Sequence, residues 1–351
     1  MSDRESKTIV ILFSRLSDYM LNMFQNYVTE TGNNLIVFKR SPDKKEAPFK
    51  FNLKDMPITF NDESEFESSL LIDMVANMNP DLIICSGWSN SKYLKVVKGL
   101  SKSIDCVLTM DNQWLGSVRQ HFGILYFRLF LKRFFKKIWV PGLPQKQFAV
   151  KLGFKSNDIF EGWYVANFDN FLVNDLPKNK FNRRFVFVGR YIEEKGIETL
   201  IAAFIELKIE QPNNWQLHCI GIGELQGKLE AHNDIIHHGF LQPAELRKEA
   251  IKGGVFCLTS HFEPWGLVVQ EFALSGYPLI VSDRVGAASK FITEDNGYIV
   301  KPNHVQSLKM AMKKIINASE INLVSMGEKS RKQGQIINGV NWVNTLNKIV
   351  E

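Results

Sequence analysis

Short apolar runs bounded by turn residues, alternating with stretches of helical periodicity, most constrain what this chain can fold into. In the first half they are Thr8–Phe13, Asn34–Phe38, Asp81–Cys85, Asp105–Thr109 and Lys137–Val140. In the second half they are Arg184–Val188, Gln216–Gly221, Ile235–His238, Val255–Thr259 and Pro278–Val281. Runs this short and this apolar read as strands buried on both faces. Helices are expected between them, among others over Tyr19–Glu30, Leu70–Met78, Tyr93–Leu100, Gln145–Leu152, Ile197–Ile209 and Glu245–Lys252. Strand-helix alternation gives parallel sheets with right-handed crossovers. The alternation lapses at Asn167–Arg184, which is polar and aperiodic, and an interdomain linker is expected there. A length of 351 residues fits two domains. Lys39–Glu67 reads as a surface excursion with one edge strand at Met56–Phe60.

Composition excludes several classes. Hydrophobic residues make up 45% and charged residues 23%, as in a globular protein that can bury a core. No apolar run is long enough to span a bilayer, and the charged start MSDRESKTIV is unlike a signal peptide, so a cytoplasmic location is expected. Cys85, Cys106, Cys219 and Cys257 all fall in apolar runs without metal-ligand spacing and read as reduced core thiols. His237 and His238 lack a metal partner and read as structural.

The most informative stretch is Leu258–Asp283, LTSHFEPWGLVVQEFALSGYPLIVSD. Pro264 keeps Glu263 on extended backbone. Apolar periodicity predicts a helix over Gly266–Ser275, which Gly276 ends before the next strand. In a strand-loop-helix unit of this kind ligands bind at the carboxyl edge of the strand. The amides of Gly266, Leu267 and Val268 would open the helix and suit a phosphate, while Glu263 and Glu271 flank it. Phosphate-binding amides between two carboxylates suit a ligand with phosphates and hydroxyls, such as a sugar nucleotide.

Glu263-Pro264-Trp265-Gly266-Leu267 and Glu271 resemble the E-x7-E signature of retaining glycosyltransferases of family 4. Gly189-Arg190-Tyr191-Ile192-Glu193-Glu194-Lys195-Gly196 is similar to that family's G-R-x4-K-G segment, and Gly221-Ile222-Gly223 to its G-x-G turn, with Ile222 in place of an acid. The resemblance implies the GT-B fold: two Rossmann-like domains facing an interdomain cleft. Residues 1–168, joined by a returning segment over 337–351, would bind the acceptor; residues 180–336 would bind the donor. The resemblance also implies that Arg190 and Lys195 neutralise the donor diphosphate beside Gly189. Gly239, Phe240 and Leu241 would lie near the nucleobase, Gly286-Ala287-Ala288 near the sugar, Glu271 on the ribose and Glu263 on the transferred sugar. Two departures stand out. The turn Ser14–Asp18 has no glycine where family members meet the donor phosphates; Arg15 either supplies charge there or is a surface residue. No His sits just past the Asp105–Thr109 strand, where family members have one and this chain has Asp111 or Asn112, and the next is His121; Asp111 either bonds a sugar hydroxyl or helps take the acceptor proton, or is a helix cap or loop acid.

The implied reaction is retaining transfer of a sugar from a nucleotide diphosphate sugar to a glycan or polyprenyl-diphosphate-linked acceptor, as in bacterial surface polysaccharide synthesis. No cofactor and no metal are expected, since Arg190 and Lys195 supply cations and the sequence has no Asp-x-Asp site. The alternatives are a non-catalytic sugar-nucleotide-binding partner subunit and a nucleotide-sugar epimerase of the same fold. Arg119–Trp139 carries Arg119, Arg128, Lys132, Arg133, Lys136 and Lys137, no acid, and interleaved aromatics. That pattern reads as a basic amphipathic helix lying on an anionic membrane, here the inner face of the cell membrane, rather than as a nucleic-acid surface.

Overall fold

The computed structural model describes residues 6–40, 49, 51–173, 181–227, 229 and 231–351. The chain divides into two units, Met1–Val165 with Gly339–Glu351, and Ala166–Asn338.

The first unit runs β1 (Thr8–Phe13), α1 (Asp18–Thr31), β2 (Asn34–Lys39), β3 (Thr59–Asp62), α2 (Ser68–Asn77), β4 (Leu82–Ser86) and α3 (Ser91–Leu100). It continues through β5 (Asp105–Thr109), α4 (Val118–Tyr126), β6 (Lys137–Val140), α5 (Leu143–Lys151) and β7 (Ile159–Glu161). Its sheet has the order β3-β2-β1-β4-β5-β6-β7, and each pairing is parallel. Ile9 to Leu12 are fully buried, which is why β1 is apolar on both faces. The edge strand starts at Thr59 rather than Met56, because Pro57 has no amide to give a ladder. Of the expected excursion, residues 41–48 and 50 lie outside the described residues.

The second unit runs α6 (Phe168–Phe171), β8 (Arg184–Val188), α7 (Ile197–Glu210), β9 (Gln216–Ile220), β10 (Ile235–Gly239), α8 (Pro243–Ala250) and β11 (Val255–Leu258). It ends with α9 (Val268–Leu274), β12 (Leu279–Ser282), α10 (Ala288–Phe291), β13 (Gly297–Val300), α11 (Val305–Asn317) and α12 (Glu320–Gly334). Its sheet has the order β10-β9-β8-β11-β12-β13, again parallel throughout. Strand order reverses between β8 and β11, and a crevice at such a switch point is where doubly wound sheets bind ligands. Phe256 of β11 stacks on Phe272 of α9 at 4.3 Å, so the helix following the acidic loop is pinned on its strand.

The polar stretch after Val165 is not all linker. Asn167 caps α6 by accepting from the Asp169 amide at 3.1 Å, and the Val173 amide donates to Leu274 O at 3.4 Å. Residues 174–180 of that expected linker lie outside the described residues. The last helix, α13 (Gly339–Val350), is part of the first unit. Its Trp342 is 1% exposed, packs against Trp139 at 4.9 Å and Trp163 at 5.9 Å, and donates Nε1–H to Trp163 O at 3.0 Å.

The stretch Arg119–Trp139 is not one helix. α4 ends at Tyr126, a π turn covers Phe127–Leu131, a 3-10 turn covers Lys132–Phe134, and β6 begins at Lys137. Phe127, Leu131 and Phe135 are buried, and the widened turn brings them inward. Val118, Phe122, Leu125, Tyr126, Leu129 and Phe130 stay exposed at helical spacing. The expected cations therefore separate. Arg119, Arg128 and Arg133 are exposed beside the apolar stripe. Lys132 folds over the Phe154 ring and donates to Phe135 O, and burial lowers its pKa. Lys136 pairs with Asp105, and Lys137 donates to Ile349 O at 2.8 Å. Among the described residues no helix is long and apolar enough to cross a membrane.

All four cysteines are buried and free, and burial raises their thiol pKa values. His237 accepts or donates at Tyr191 Oη, 3.2 Å away. His238 stacks on His218 with Nε2 2.9 Å from His218 Nδ1, a partner the sequence reading missed. These two and Glu249 bring metal-ligand atoms within 4.8 Å of one another. Arg184, 2% exposed on its side chain, already holds Glu249 Oε2 at 2.9 Å and stands 3.5 Å from His218 Nδ1, while Lys252 holds the other carboxylate oxygen. Two cations on one carboxylate leave little attraction for a third. Burial and the nearby Arg184 lower His218 to about 4, so it stays a neutral acceptor in a structural network.

Candidate active site

Two loops meet at the switch point of the second unit. The loop after β8 passes through exposed Arg190 into a 3-10 turn, Glu193–Lys195, and on to α7. Gly196 joins the turn to α7 at φ +64, and a Cβ there would stand 2.3 Å from Thr259 O. Only glycine gives that backbone both its left-handed conformation and its close approach. The approach is held by Thr259 Oγ1 donating to Gly196 O at 2.9 Å and the His261 amide donating to Glu194 O at 2.8 Å.

The loop after β11 carries Glu263. Its amide donates to Arg284 O at 3.1 Å, its carbonyl accepts from the Gly286 amide at 3.2 Å, and Ala287 N–H donates to Trp265 O at 2.8 Å. The small-residue turn after β12 thus splints the acidic loop from one side. Gly266 sits at φ +85, where a Cβ would lie 2.9 Å from Glu263 Cγ and from Val285 Cγ1. Any side chain at Gly266 would push Glu263 out of place.

Across the crevice Lys195 Nζ and Glu263 Oε2 form an ion pair, with side chains 17% and 15% exposed. Pairing these two was not readable from the sequence, which assigned them to separate parts of a ligand. The helix expected from Gly266 begins only at Val268, because Gly266 is left-handed and Leu267 is the N-cap. Gly266 and Leu267 are therefore turn residues before α9, while Val268 opens it. Glu271 lies in the first turn of α9 and is half-buried. Gly239, at φ +71, ends β10, its carbonyl accepts from the Gly221 amide at 2.8 Å, and Phe240 and Leu241 follow half-buried. So Gly189, Arg190, Lys195, Gly239 and Glu263 lie at or beyond the ends of β8, β10 and β11 of one sheet, and Glu271 lies on α9, which follows β11.

Three buried polar atoms of the acidic loop, Ser260 Oγ, His261 Nε2 and Trp265 Nε1, have no hydrogen-bond partner among the described residues. Buried donors are nearly always satisfied, so three orphans in one loop beside the ion pair mark a place shaped for more than packing. Sequence reasoning passed over all three.

Asp111 belongs to the first unit, just beyond β5. Its carbonyl accepts from Gln145 Nε2 at 2.9 Å, and Tyr164 Oη donates to its carboxylate at 3.3 Å. Burial, and then the Asp111 charge, hold Tyr164 well above its ordinary pKa, so it remains a donor. Tyr19 of α1 packs edge-on against Tyr164 at 5.5 Å. In the turn before α1, Ser14 N–H donates to Ser86 Oγ at 3.1 Å; Arg15 is exposed.

Known proteins resemble the chain in two ways. Residues 169–333 match the family described as Glycosyl transferases group 1. An uncharacterized glycosyltransferase of Methanocaldococcus jannaschii is 29% identical over 142 residues, covering 38% of this chain and 36% of that protein. Glycogen synthase of Mycobacterium tuberculosis is 30% identical over 139 residues, covering 38% and 33%. The capsular polysaccharide biosynthesis glycosyltransferase CapM of Staphylococcus aureus is 25% identical over 210 residues, covering 56% and 53%. The chain thus spans about a third to a half of the length of these curated relatives. Solved structures match over nearly the whole chain: a glycosyltransferase of Rickettsia africae with TM-score 0.77 at 14% identity, covering 99% and 98%, and Anabaena HepE in complex with UDP with TM-score 0.77 at 15% identity, covering 98% and 99%. The fold of this chain is GT-B, and its second unit, from residue 169 to residue 333, is similar in sequence to the glycosyl transferases group 1.

Proposed function

We propose that the chain is a retaining glycosyltransferase that moves a sugar from a nucleotide diphosphate sugar to a glycan or lipid-linked acceptor, in the making of a surface polysaccharide. The observation that carries this reading is the Lys195–Glu263 pair across the switch point, framed by Gly196 and Gly266. Solved relatives of the same fold hold UDP, and CapM is named for capsular polysaccharide synthesis. The hard steps are departure of the nucleoside diphosphate and support of an oxocarbenium-like carbon. Lys195 leaves Glu263 for the diphosphate and, with Arg190, stabilises its growing charge in a partly desolvated crevice. Glu263, once released, turns to the transferred sugar. Gly266, Leu267 and Val268 offer backbone donors to the phosphates, Glu271 holds the ribose hydroxyls, and Gly239, Phe240 and Leu241 line the base. Asp111 serves the acceptor side, with Tyr164 orienting its carboxylate. No metal is needed for these steps.

A mass-spectrometric screen of nucleotide sugars with the purified chain tests the reading. One donor should be consumed faster when a glycan or lipid-linked acceptor is present. Binding without turnover would instead make the chain a non-catalytic partner subunit, and product without acceptor would make it an epimerase.

The exposed stripe Val118, Phe122, Leu125, Tyr126, Leu129 and Phe130, edged by Arg119, Arg128 and Arg133, supports docking on an anionic membrane face where a lipid-linked acceptor resides. Each exposed cation contributes about 1 kcal/mol at such a surface. Arg128→Gln with Arg133→Gln should weaken binding to anionic vesicles roughly thirty-fold, and raised salt should weaken wild type in the same direction. Phe122→Ser with Leu129→Ser should abolish co-sedimentation. Equal binding to neutral vesicles, or none to anionic ones, would contradict membrane docking and favour a soluble acceptor.

A further inference from the structure

Gln270 occupies a position that the proposed chemistry does not use. It lies on α9, one residue before Glu271, and is fully buried. A long polar side chain in such a place needs every hydrogen-bonding group met. It finds its partners in three backbone groups. Gln270 Oε1 accepts from the Ala166 amide at 2.9 Å, and Nε2 donates to Gly334 O at 2.9 Å and to Ile337 O at 2.8 Å.

The identity of those partners gives the contact meaning. Ala166 is the first residue of the second unit, where the chain enters it; the chain leaves at Asn338, one residue after Ile337. One side chain therefore holds both places where the backbone passes between the units. A hydrophobic residue would fill the volume but leave three buried backbone groups unmet, which core packing alone gives no reason to risk. Neighbouring contacts reinforce the clasp: Ser275 Oγ donates to Phe171 O at 2.9 Å, and the Val173 amide donates to Leu274 O at 3.4 Å, so the C-terminal end of α9 is tied to the entering segment. Gln335 and Ile336 continue from α12, their amides donating to Lys332 O and Gln333 O at 3.3 and 3.4 Å, so the leaving segment is an ordered continuation of that helix.

We propose that Gln270 is a positioning residue that couples the two chain crossings to the nucleotide held by its neighbour Glu271. Nucleotide on Glu271 fixes α9, and Gln270 transmits that fixation to Ala166 and Ile337. Coupling of this kind needs a shared element whose order both sites bias, and α9 is that element. The inference rests on the donor-site reading of the second unit.

Hydrogen-deuterium exchange on the full chain tests it, with UDP as probe and ADP and GDP in parallel arms. In wild type the nucleotide that binds should slow exchange at the Ala166 amide and over residues 335–341. Gln270→Met keeps the volume and removes all three bonds; nucleotide should still bind within about two-fold of wild type, but the linked protection of both crossings should vanish. Turnover should then fall about ten-fold or more in kcat, with donor KM within two-fold. Should Gln270→Met fail to fold, Gln270→Glu keeps the acceptor for Ala166 and loses the donors, so nucleotide-linked protection should persist at Ala166 and disappear over 335–341. A lowered Tm with wild-type linked protection and wild-type kcat would overturn the inference and leave Gln270 a core residue. Nucleotide binding by wild type with no linked protection at either crossing would overturn it too. Failure of wild type to bind any of the three nucleotides would overturn the donor-site reading, and this inference with it.

Discussion

Lys195→Ala should lower sugar transfer by about thirty-fold to about a thousand-fold, a loss of roughly 2 to 4 kcal/mol of transition-state stabilisation, while the fold stays intact. The ammonium sits at the switch point, 17% exposed, held by the Glu263 carboxylate. Charge that develops on a leaving diphosphate in so dry a place is worth more than the same charge in water. Arg190→Ala should act in the same direction and less strongly, because Arg190 is exposed and water screens it. A loss in Lys195→Ala has a second source to separate, since the change strands Glu263. The double variant Lys195→Ala with Glu263→Gln removes the stranded charge; because Glu263 itself serves transfer, the readout is nucleoside diphosphate affinity, which should stay below that of Glu263→Gln alone if Lys195 holds the diphosphate and should match it if Lys195 only neutralised Glu263. Near-normal turnover in both single variants, measured as nucleoside diphosphate release, would remove the diphosphate from this crevice.

Much of the fold was legible because its strands are buried on both faces. Ile9 to Leu12 and Val255 to Leu258 leave no polar alternation that could be mistaken for a surface element. Turn chemistry carried the site in the same way. Gly196 and Gly266 stand where a Cβ would strike Thr259 O or Glu263 Cγ, so the glycines and their spacing record the loop geometry. What escaped was set by tertiary contact. Lys195 and Glu263 are distant along the chain, and no local pattern says that they touch. Gln270 reads as one more helical residue until its three backbone partners are in view. Residues Arg119 to Lys136 are compatible with a helix in sequence, whereas in the structure Phe127, Leu131 and Phe135 are buried and Lys132 and Lys137 are turned to Phe154, Phe135 O and Ile349 O. His238 was read as structural without its partner, because His218 and Glu249 come from β9 and α8.

The second large effect concerns the two carboxylates. A ribose held by Glu271 is held equally in free nucleotide and in donor, so Glu271→Ala should lose affinity for the nucleoside diphosphate itself. Charge-assisted hydrogen bonds contribute about 1.5 to 3 kcal/mol, which is roughly ten- to a hundred-fold in Kd. In the proposed roles Glu263 serves the transferred sugar, and in this structure it pairs with Lys195. Glu263→Ala should therefore keep or raise nucleoside diphosphate affinity while transfer collapses. Calorimetric titration of wild type, Glu271→Ala and Glu263→Ala with UDP, ADP and GDP measures this on the crevice that the whole account depends on. The predicted result is tight binding of one nucleotide by wild type, a ten-fold or greater loss in Glu271→Ala, and no loss in Glu263→Ala. Equal losses in the two variants would contradict the division of roles, and no binding by wild type would contradict the donor site.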